Sequence, residues 1–306
     1  MQRAKDTNRP FQEVLQYYAM ERFLYRLSQS SYNQNFVLKG ALMLRAWNAA
    51  DTRPTRDIDL LGQINNETEY LTQVFREICA ANVEADGIFY DPATVKGEII
   101  KENATYHGTR IIFRGKLENA SIPMQIDIGF GDVVSPKPMD IEYPTILDFP
   151  APKLNGYRPE TVIAEKFQAI VALGTLNSRM KDFYDIWLLS RQFNFKGANM
   201  AEALDATFKN RNTPMLQNPD ALQTPYTESD SVKKQWAAFI KRNRAIDIPV
   251  SFVEVANAIS KFVEPFSVER NEDIHNLFWT APGPWNSSEE ALQELAKMAQ
   301  ELDMGY

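Results

Sequence analysis

The stretch RPTRDIDLLG, residues 53–62, sets two aspartates against a run of apolar residues. Asp57 and Asp59 flank one isoleucine, and two leucines follow directly. Side chains two residues apart on a strand point to the same face, so we expect both carboxylates on one side, about 7 Å apart. Two like charges held together cost stability unless cations neutralise them. The pattern therefore favours a cation site, although a lone Asp-x-Asp is also common in turns and on surfaces.

A third acid lies in MQIDIGFGD, residues 124–132, where Asp127 stands between two isoleucines. Mg²⁺ prefers hard oxygen ligands, and three carboxylates from neighbouring strands would form a site for two metal ions. Asp132 is a weaker candidate because it follows the glycines at the expected strand end. The two acidic strands together predict a metal site that binds Mg²⁺ or Mn²⁺.

Upstream, FVLKG (36–40) predicts a short strand, and ALMLRAW after it predicts a helix that begins at Gly40. Free backbone N–H groups at a helix start bind phosphate, and a glycine lets the backbone approach closely. Lys39 and Arg56 would add positive charge nearby. An ordinary strand–helix turn remains the alternative interpretation.

Composition bounds the class of protein. The chain has 306 residues with 44% hydrophobic and 24% charged residues, as in soluble globular proteins. A net charge of −7 argues against binding long nucleic acid by overall charge, while a local basic patch remains possible. Cys79 is the single cysteine, which excludes an internal disulfide. With no long apolar run and no secretory signal, the sequence predicts a cytoplasmic protein without a membrane span.

Periodicity predicts a helix near 11–27, a second at 67–80 and a β-rich stretch from 86 to 131. Residues 133–159 hold six prolines, which is typical of a linker or an extended crossing segment. Beyond Pro159 the helical period dominates. We therefore predict an α/β domain at 1–150 and a helical domain at 151–306. The predicted helices of the second half are 161–173, 180–193, 199–210, 231–243, 251–263 and 288–302.

The order of these elements resembles the minimal nucleotidyltransferase fold of the polymerase β type. A strand comes first, then a helix that starts at Gly-Ala, then the Asp-x-Asp strand and finally the second acidic strand. The resemblance implies an α+β fold, with a mixed sheet and flanking helices followed by a helical C-terminal domain that completes the active-site cleft. That fold commonly has Gly-Ser or Gly-Gly where this chain has Gly40-Ala41. Ala41 lacks the hydroxyl that would bind a phosphate oxygen, and Lys39 would compensate by charge.

The segment TVIAEKFQAIVALGTLNSRMKDFYDIWLLSRQF, residues 161–193, resembles the AbiEii/AbiGii toxin nucleotidyltransferase family of type IV toxin–antitoxin and abortive-infection systems. In that family a helix carries a lysine, and the next helix carries Arg-x-Lys-Asp-x-x-Asp. The matching positions here are Lys166, Arg179, Lys181, Asp182 and Asp185. The resemblance covers about residues 34–192. From the residues alone, Asp182 and Asp185 are three positions apart and share one face of a helix. The alternative interpretation is that this face is solvated and carries a salt bridge.

The resemblance implies that an acceptor hydroxyl attacks the α-phosphate of an NTP and pyrophosphate leaves. The implied acceptor is the tRNA 3′ end, whose modification blocks translation, and the implied partner is a cognate winged-helix antitoxin. It assigns metal binding to Asp57, Asp59 and Asp127. It assigns catalysis to these three and to Lys166, Asp182 and Asp185. The residues it assigns to the nucleotide are Lys39, Gly40, Ala41, Arg56, Lys166 and Lys181.

One basic segment could face RNA: KKQWAAFIKRNR, residues 233–244, holds five basic residues and no acid. A core stripe of apolar residues would leave Lys233, Lys234, Lys241 and Arg244 outward. An ordinary solvated helix face explains the same charges.

Two other functions stay open. The acceptor could be a protein hydroxyl, or the chain could be an inactive binding module, which only the alanine at position 41 supports.

Overall fold

The computed structural model describes residues 9–49, 54–101, 107–243, 248–267 and 272–287. The chain divides into two compact units. The first comprises Met1–Asp132 and Pro138–Tyr157, and the second comprises Val133–Lys137 and Arg158–Tyr306. The fold is α+β, as the sequence predicted, with a mixed sheet and flanking helices in the first unit and mainly helices in the second.

The first unit contains three helices and seven strands among the residues described. In chain order they are α1 (Phe11–Gln29), β1 (Phe36–Lys39), α2 (Ala41–Ala46), β2 (Ile58–Gly62), α3 (Thr68–Cys79), β3 (Ile88–Lys101), β4 (His107–Leu117), β5 (Ala120–Gly129), β6 (Met139–Glu142) and β7 (Lys153–Gly156). Pro10 precedes α1, where its fixed φ suits a helix start.

The seven strands form one sheet in the order β3-β4-β5-β2-β1-β7-β6. β2 runs antiparallel to β1 and parallel to β5, and β1 runs parallel to β7. An aromatic cluster forms part of the core: the Phe23 ring of α1 lies 5.9 Å from Phe75 of α3 and 5.1 Å from Phe113 of β4. The central strands β1, β2 and β5 therefore lie beside a packed core that fixes their positions.

Buried charges connect α1 to the start of β3. Arg26 Nη1 and Arg22 Nε lie 2.7 Å and 3.0 Å from Asp86 Oδ2, and the Asp86 side chain is 1% exposed. Although burial opposes it, hydrogen bonds and charge from Arg26 and Arg22 lower the pKa of Asp86. Tyr18 donates its hydroxyl hydrogen to the Asp86 carbonyl at 2.7 Å. No helical or strand period predicts this network, because its partners lie far apart in sequence.

The proline-rich stretch is more structured than a linker. β6 and β7 form an antiparallel hairpin inside residues 133–159, and β7 pairs with β1 through Val37–Asn155 and Leu38–Gly156. The prolines lie outside the two strands, so they remove no ladder hydrogen bond. The chain leaves the first unit at Tyr157, and residues 133–137 group with the second unit.

The second unit consists of helices and a small sheet. In chain order its elements are α4 (Pro159–Leu173), α5 (Met180–Gln192), β8 (Phe195–Lys196), α6 (Gly197–Asn210), α7 (Thr224–Thr227), α8 (Asp230–Asn243), α9 (Phe252–Val263), β9 (Leu277–Trp279) and β10 (Trp285–Ser287). Phe252 is central to an aromatic core, 5.0 Å from the Phe183 ring and 5.4 Å from Trp236. The predicted helix at 288–302 lies outside the described residues.

Two features bear on the expectations from composition. Within the part of the chain described, no helix combines the length and apolar character that crossing a bilayer requires. Cys79 is buried at the end of α3, and burial raises the pKa of its thiol to about 12. The thiol therefore stays protonated at neutral pH.

Candidate active site

Three carboxylates meet where β2 and β5 run side by side. Asp59 and Asp127 are direct register partners on these parallel strands, and Asp57 precedes β2 by one residue. One carboxylate oxygen of each lies within 4.8 Å of those of the other two, and all three residues are partly buried. The structure thus brings together the three acids that the sequence singled out for metal binding.

The position of Asp57 differs from the expectation. It lies in a bend before β2, whereas the sequence placed it in the strand about 7 Å from Asp59. The Thr55 hydroxyl donates a hydrogen bond to Asp57 Oδ1, and the Thr55 N–H donates to the Tyr17 hydroxyl of α1 at 3.1 Å. The bend therefore turns Asp57 toward the other two acids and ties this segment to α1.

Arg110 of β4 holds the third acid. It lies opposite Asp127 in the β4–β5 register, and its Nε and Nη2 atoms donate to the two carboxylate oxygens at 2.8 Å each. Gln125 Nε2 adds contacts at 3.3 Å and 3.4 Å. The hydrogen bonds to Asp127 raise the pKa of Arg110, so the guanidinium stays charged. Such a bidentate contact fixes both the position and the plane of the carboxylate. Sequence reasoning missed Arg110, because strand register is a long-range property.

Gly40 lies directly against Asp59. Its φ is +72°, a left-handed conformation that glycine adopts without steric cost. A Cβ at this position would lie 1.9 Å from Asp59 Oδ2. The glycine thus allows the Asp59 carboxylate to approach the β1–α2 turn. The helix after it has only six residues, so a phosphate here would depend on the turn's backbone rather than on a long helix dipole.

Gly40→Ala is expected to cost about 1–3 kcal/mol, because φ +72° with ψ −154° is a backbone conformation almost confined to glycine. It is also expected to lower kcat/KM about 100-fold for the transfer that the family resemblance implies, because the collision displaces Asp59 by an ångström or more. The matched control is Gly131→Ala. Gly131 has φ +81°, but a Cβ there would meet no atom within 4 Å. Thermal unfolding and steady-state transfer rates measured on both variants separate the strain from the collision. Equal activity losses in the two variants would contradict the steric argument.

The other predicted nucleotide-binding residues of the first unit lie in different surroundings. Lys39 Nζ is 3.0 Å from Asp132 Oδ2 and 5.6 Å from the Tyr157 ring centroid. Asp132, the weaker metal candidate, therefore forms an ion pair with the lysine expected at the phosphates. Ala41 is 6% exposed at the first position of α2, and Arg56 is exposed.

The donor set fits a divalent metal ion. Three carboxylates offer hard oxygen ligands, which Mg²⁺ and Mn²⁺ prefer over the softer metals that bind thiolates. Arg110 offsets only one of the three negative charges, by its ion pair with Asp127. Carboxylate oxygens within 4.8 Å of one another can share ligation of ions bound between them.

In the second unit the predicted lysine and aspartates form a buried ion cluster. Lys166 Nζ of α4 lies 2.9 Å from Asp182 Oδ1 and 2.8 Å from Asp185 Oδ2, both on α5. Arg179 Nε is 2.7 Å from Asp182 Oδ2. The side chains of Asp182 and Asp185 are 0% and 1% exposed. The interpretation of this face as solvated is wrong, because both acids are buried and form ion pairs with Lys166 and Arg179 within the unit.

Lys181 and the basic helix lie at the surface. Lys181 is exposed, whereas Lys166 and Arg179 form the ion pairs with Asp182. On α8, Lys233, Lys234 and Lys241 are exposed and Trp236 is buried. Arg244, predicted on the same face, lies outside the described residues.

Solved structures of other proteins are similar to this chain in fold. JHP933 from Helicobacter pylori superposes with a TM-score of 0.50 at 14% identity, covering 83% of this chain and 93% of that chain. A candidate nucleotidyltransferase from H. pylori gives a TM-score of 0.49 at 13% identity, covering 83% and 96%. Identities this low concern the fold alone. No curated protein sequence matches.

A sequence family described as "Nucleotidyl transferase AbiEii toxin, Type IV TA system" matches residues 22–258. This range includes the three carboxylates, the Gly40 turn and the Lys166 cluster. It extends on both sides of the 34–192 stretch that the sequence resemblance covered. The chain belongs to the AbiEii family of nucleotidyltransferase toxins of type IV toxin–antitoxin systems.

Proposed function

We propose that this enzyme transfers a nucleoside monophosphate from an NTP to an RNA hydroxyl, the tRNA 3′ end, in a reaction that requires Mg²⁺ or Mn²⁺. The observation that carries the proposal is the cluster of Asp57, Asp59 and Asp127 on adjacent strands beside the Gly40 turn. Membership of a toxin family supports an acceptor whose modification arrests translation. The exposed lysines of α8 support an RNA acceptor.

In this proposal Asp57, Asp59 and Asp127 hold the metal ions, which when bound would activate the attacking hydroxyl and stabilise the leaving pyrophosphate. Arg110 positions Asp127 through its bidentate contact. The backbone at Gly40 and Ala41 approaches the triphosphate. Lys39 and Arg56 supply positive charge, and Lys39 would exchange part of its contact with Asp132 for a phosphate oxygen.

The proposal also gives the helical unit a part in the reaction, following the family motif. Lys166 contacts a phosphate or the nucleotide as a point charge, and Asp182 and Asp185 orient it. Their burial supports this role, because two buried carboxylates fix the ammonium group in one place. The exposed Lys181 contacts the nucleotide in the same scheme. A specific loss of NTP affinity on changing Lys166 would support the assignment.

The family implies an antitoxin partner, and we propose a winged-helix regulator for that role. NTPs and tRNA are both cytoplasmic, so the proposed reaction takes place in the cytoplasm. In an AMPylation-like reaction the acceptor would instead be a protein hydroxyl. Whether label from the NTP enters RNA or protein distinguishes the two acceptors.

The test mixes purified protein with total tRNA, Mg²⁺ and each α-labelled NTP in turn, followed by a denaturing gel. Label on tRNA from one NTP, absent with EDTA, is the expected result and identifies the base preference. Label on the protein would replace the proposed acceptor. Folded protein that labels neither would contradict the proposed transfer, and the missing hydroxyl at Ala41 would then be the first feature to restore, by Ala41→Ser.

A further inference from the structure

The three strands at one side of the sheet have a second, solvent-exposed face. Their core face packs on α3, where a Cβ at Gly97 of β3 would lie 2.6 Å from Thr72 Oγ1. The side chains of alternate residues on β4 point to the opposite side, and those of Ile112, Arg114 and Lys116 are exposed. We call this side the outer strand face and define it by six residues: Phe89, Lys96, Arg110, Ile112, Arg114 and Lys116.

The strand registers place these side chains on one continuous surface. Lys96 of β3 is the partner of Ile112, and Phe89 is the partner of Lys116. Arg110 at one end is the partner of Asp127, so the outer strand face begins at the carboxylate cluster. From Arg110 to Lys116 it continues for about 20 Å along β4 at the strand rise of 3.3–3.4 Å per residue.

The chemistry of this face contrasts with the rest of the chain. The protein has a net charge of −7, yet four of these six residues are basic. Arg110 forms an ion pair with Asp127, whereas Lys96, Arg114 and Lys116 are exposed. Two acids, Asp91 and Glu98, lie on the same side. Large apolar side chains are exposed between the cations: Phe89 by 57% and Ile112 by 37%.

Cations interleaved with exposed aromatic rings are the pattern that binds single-stranded nucleic acid, because lysines and arginines contact phosphates while bases stack on ring faces. On β4 the alternation of side chains places Arg114 and Lys116 next to each other on this face, and β3 adds Lys96 beside Ile112 and the Phe89 ring beside Lys116. An acidic peptide would match the charges but gains nothing comparable from an exposed phenyl ring.

We propose that the outer strand face binds the single-stranded 3′ end of the acceptor RNA, with its terminal hydroxyl at Asp57, Asp59 and Asp127. Arg114, Lys116 and Lys96 contact successive phosphates, and a base stacks on Phe89. This inference rests on the proposed function for its choice of RNA, and it adds the surface that positions the acceptor.

The test measures binding of a 5′-fluorescent single-stranded RNA and of total tRNA by anisotropy, without NTP and at several salt concentrations. Arg114→Glu combined with Lys116→Glu is expected to weaken binding about tenfold or more, and losing two contacts should reduce the salt slope by about 1.4. Phe89→Ala is expected to weaken binding about tenfold without changing the slope. In transfer assays the charge variant should raise the KM for RNA and leave the KM for NTP unchanged.

The matched control is Lys196→Glu with Lys209→Glu, which makes the same change in net charge at two exposed lysines of the second unit. Equal weakening by the control and the charge variant, or RNA binding that neither affects, would overturn the inference. Loss confined to Lys233→Glu with Lys234→Glu would move the acceptor to α8. If wild-type protein labels tRNA while the outer-face variants bind and label RNA normally, the assignment of this surface is wrong and the proposed function stands. If wild-type protein binds RNA through this face yet transfers no label to it, the assignment of the surface stands and the proposed reaction fails.

Discussion

Asp59→Asn is expected to lower kcat/KM for nucleotidyl transfer by about 10³-fold or more, which is the scale of losing a central electrostatic element of an active site. Asp59 links the carboxylate cluster to the Gly40 turn. It is the register partner of Asp127, and its side chain lies against Gly40. An amide keeps the shape of the side chain and removes a negative ligand. The variant should fold normally and gain slightly in stability, because repulsion within the carboxylate cluster is reduced.

The decisive measurements are transfer rates, thermal unfolding with and without Mn²⁺, and Mn²⁺ binding followed by electron paramagnetic resonance. Wild-type protein should be stabilised by the metal and the variant should not. Asp140→Asn, an exposed acid on β6 of the same unit, is the control and should behave as wild type. A folded Asp59→Asn protein with full activity would remove the metal assignment.

Lys166→Met is expected to destabilise the protein by about 3 kcal/mol, at the lower end of the range for breaking a buried ion pair. Methionine has a similar volume but leaves Asp185 without its contact to Lys166 Nζ and leaves Asp182 with Arg179. The side chain of Arg179 is 44% exposed, so its neutralisation of Asp182 is weaker. In the proposed function the same change also raises the KM for NTP.

Denaturant unfolding of three variants tests this expectation. Lys181→Met removes an exposed lysine of α5, the helix that carries both aspartates, and should change stability by less than about 0.5 kcal/mol. Lys166→Met with Asp185→Asn should recover part of the loss, since the second change removes a buried negative charge that has lost its contact to Lys166. If Lys166→Met matched wild type in stability, the contacts of Lys166 would contribute nothing to the fold, and its place between two buried aspartates would need a purely catalytic explanation.

The local features of the first unit could be predicted from sequence. An apolar strand that ends in glycine, followed by a helix, predicted β1 and α2, and alternation around Asp59 and Asp127 predicted β2 and β5. Two acids framed by isoleucines and leucines also indicated that the carboxylates lie at the margin of a core. These are short-range patterns, and residues within about ten positions determine them.

The features that sequence missed depend on pairing over long distances. Arg110 contacts Asp127 only because of the β4–β5 register, and Lys166 contacts two aspartates only because α4 packs on α5. The sequence does not predict the hairpin of β6 and β7, because six prolines in residues 133–159 are typical of a linker or an extended crossing segment, although they lie outside the strands. The strands β8, β9 and β10 are two or three residues long, which is too short for a period to be recognised.

The pairing of β1 with β7 has a consequence for how newly made molecules become active. Val37 pairs with Asn155, so the ribosome must add the intervening residues before this edge of β1 is covered. At about 5–20 residues per second, that interval is roughly 6–24 s. Until then a nascent chain carries the Gly40 turn on a strand with an open side, which is a natural target for chaperones. A toxin built in this way is completed only after its own translation has passed residue 157, and on the proposed function it cannot disable the ribosome's tRNA supply any earlier.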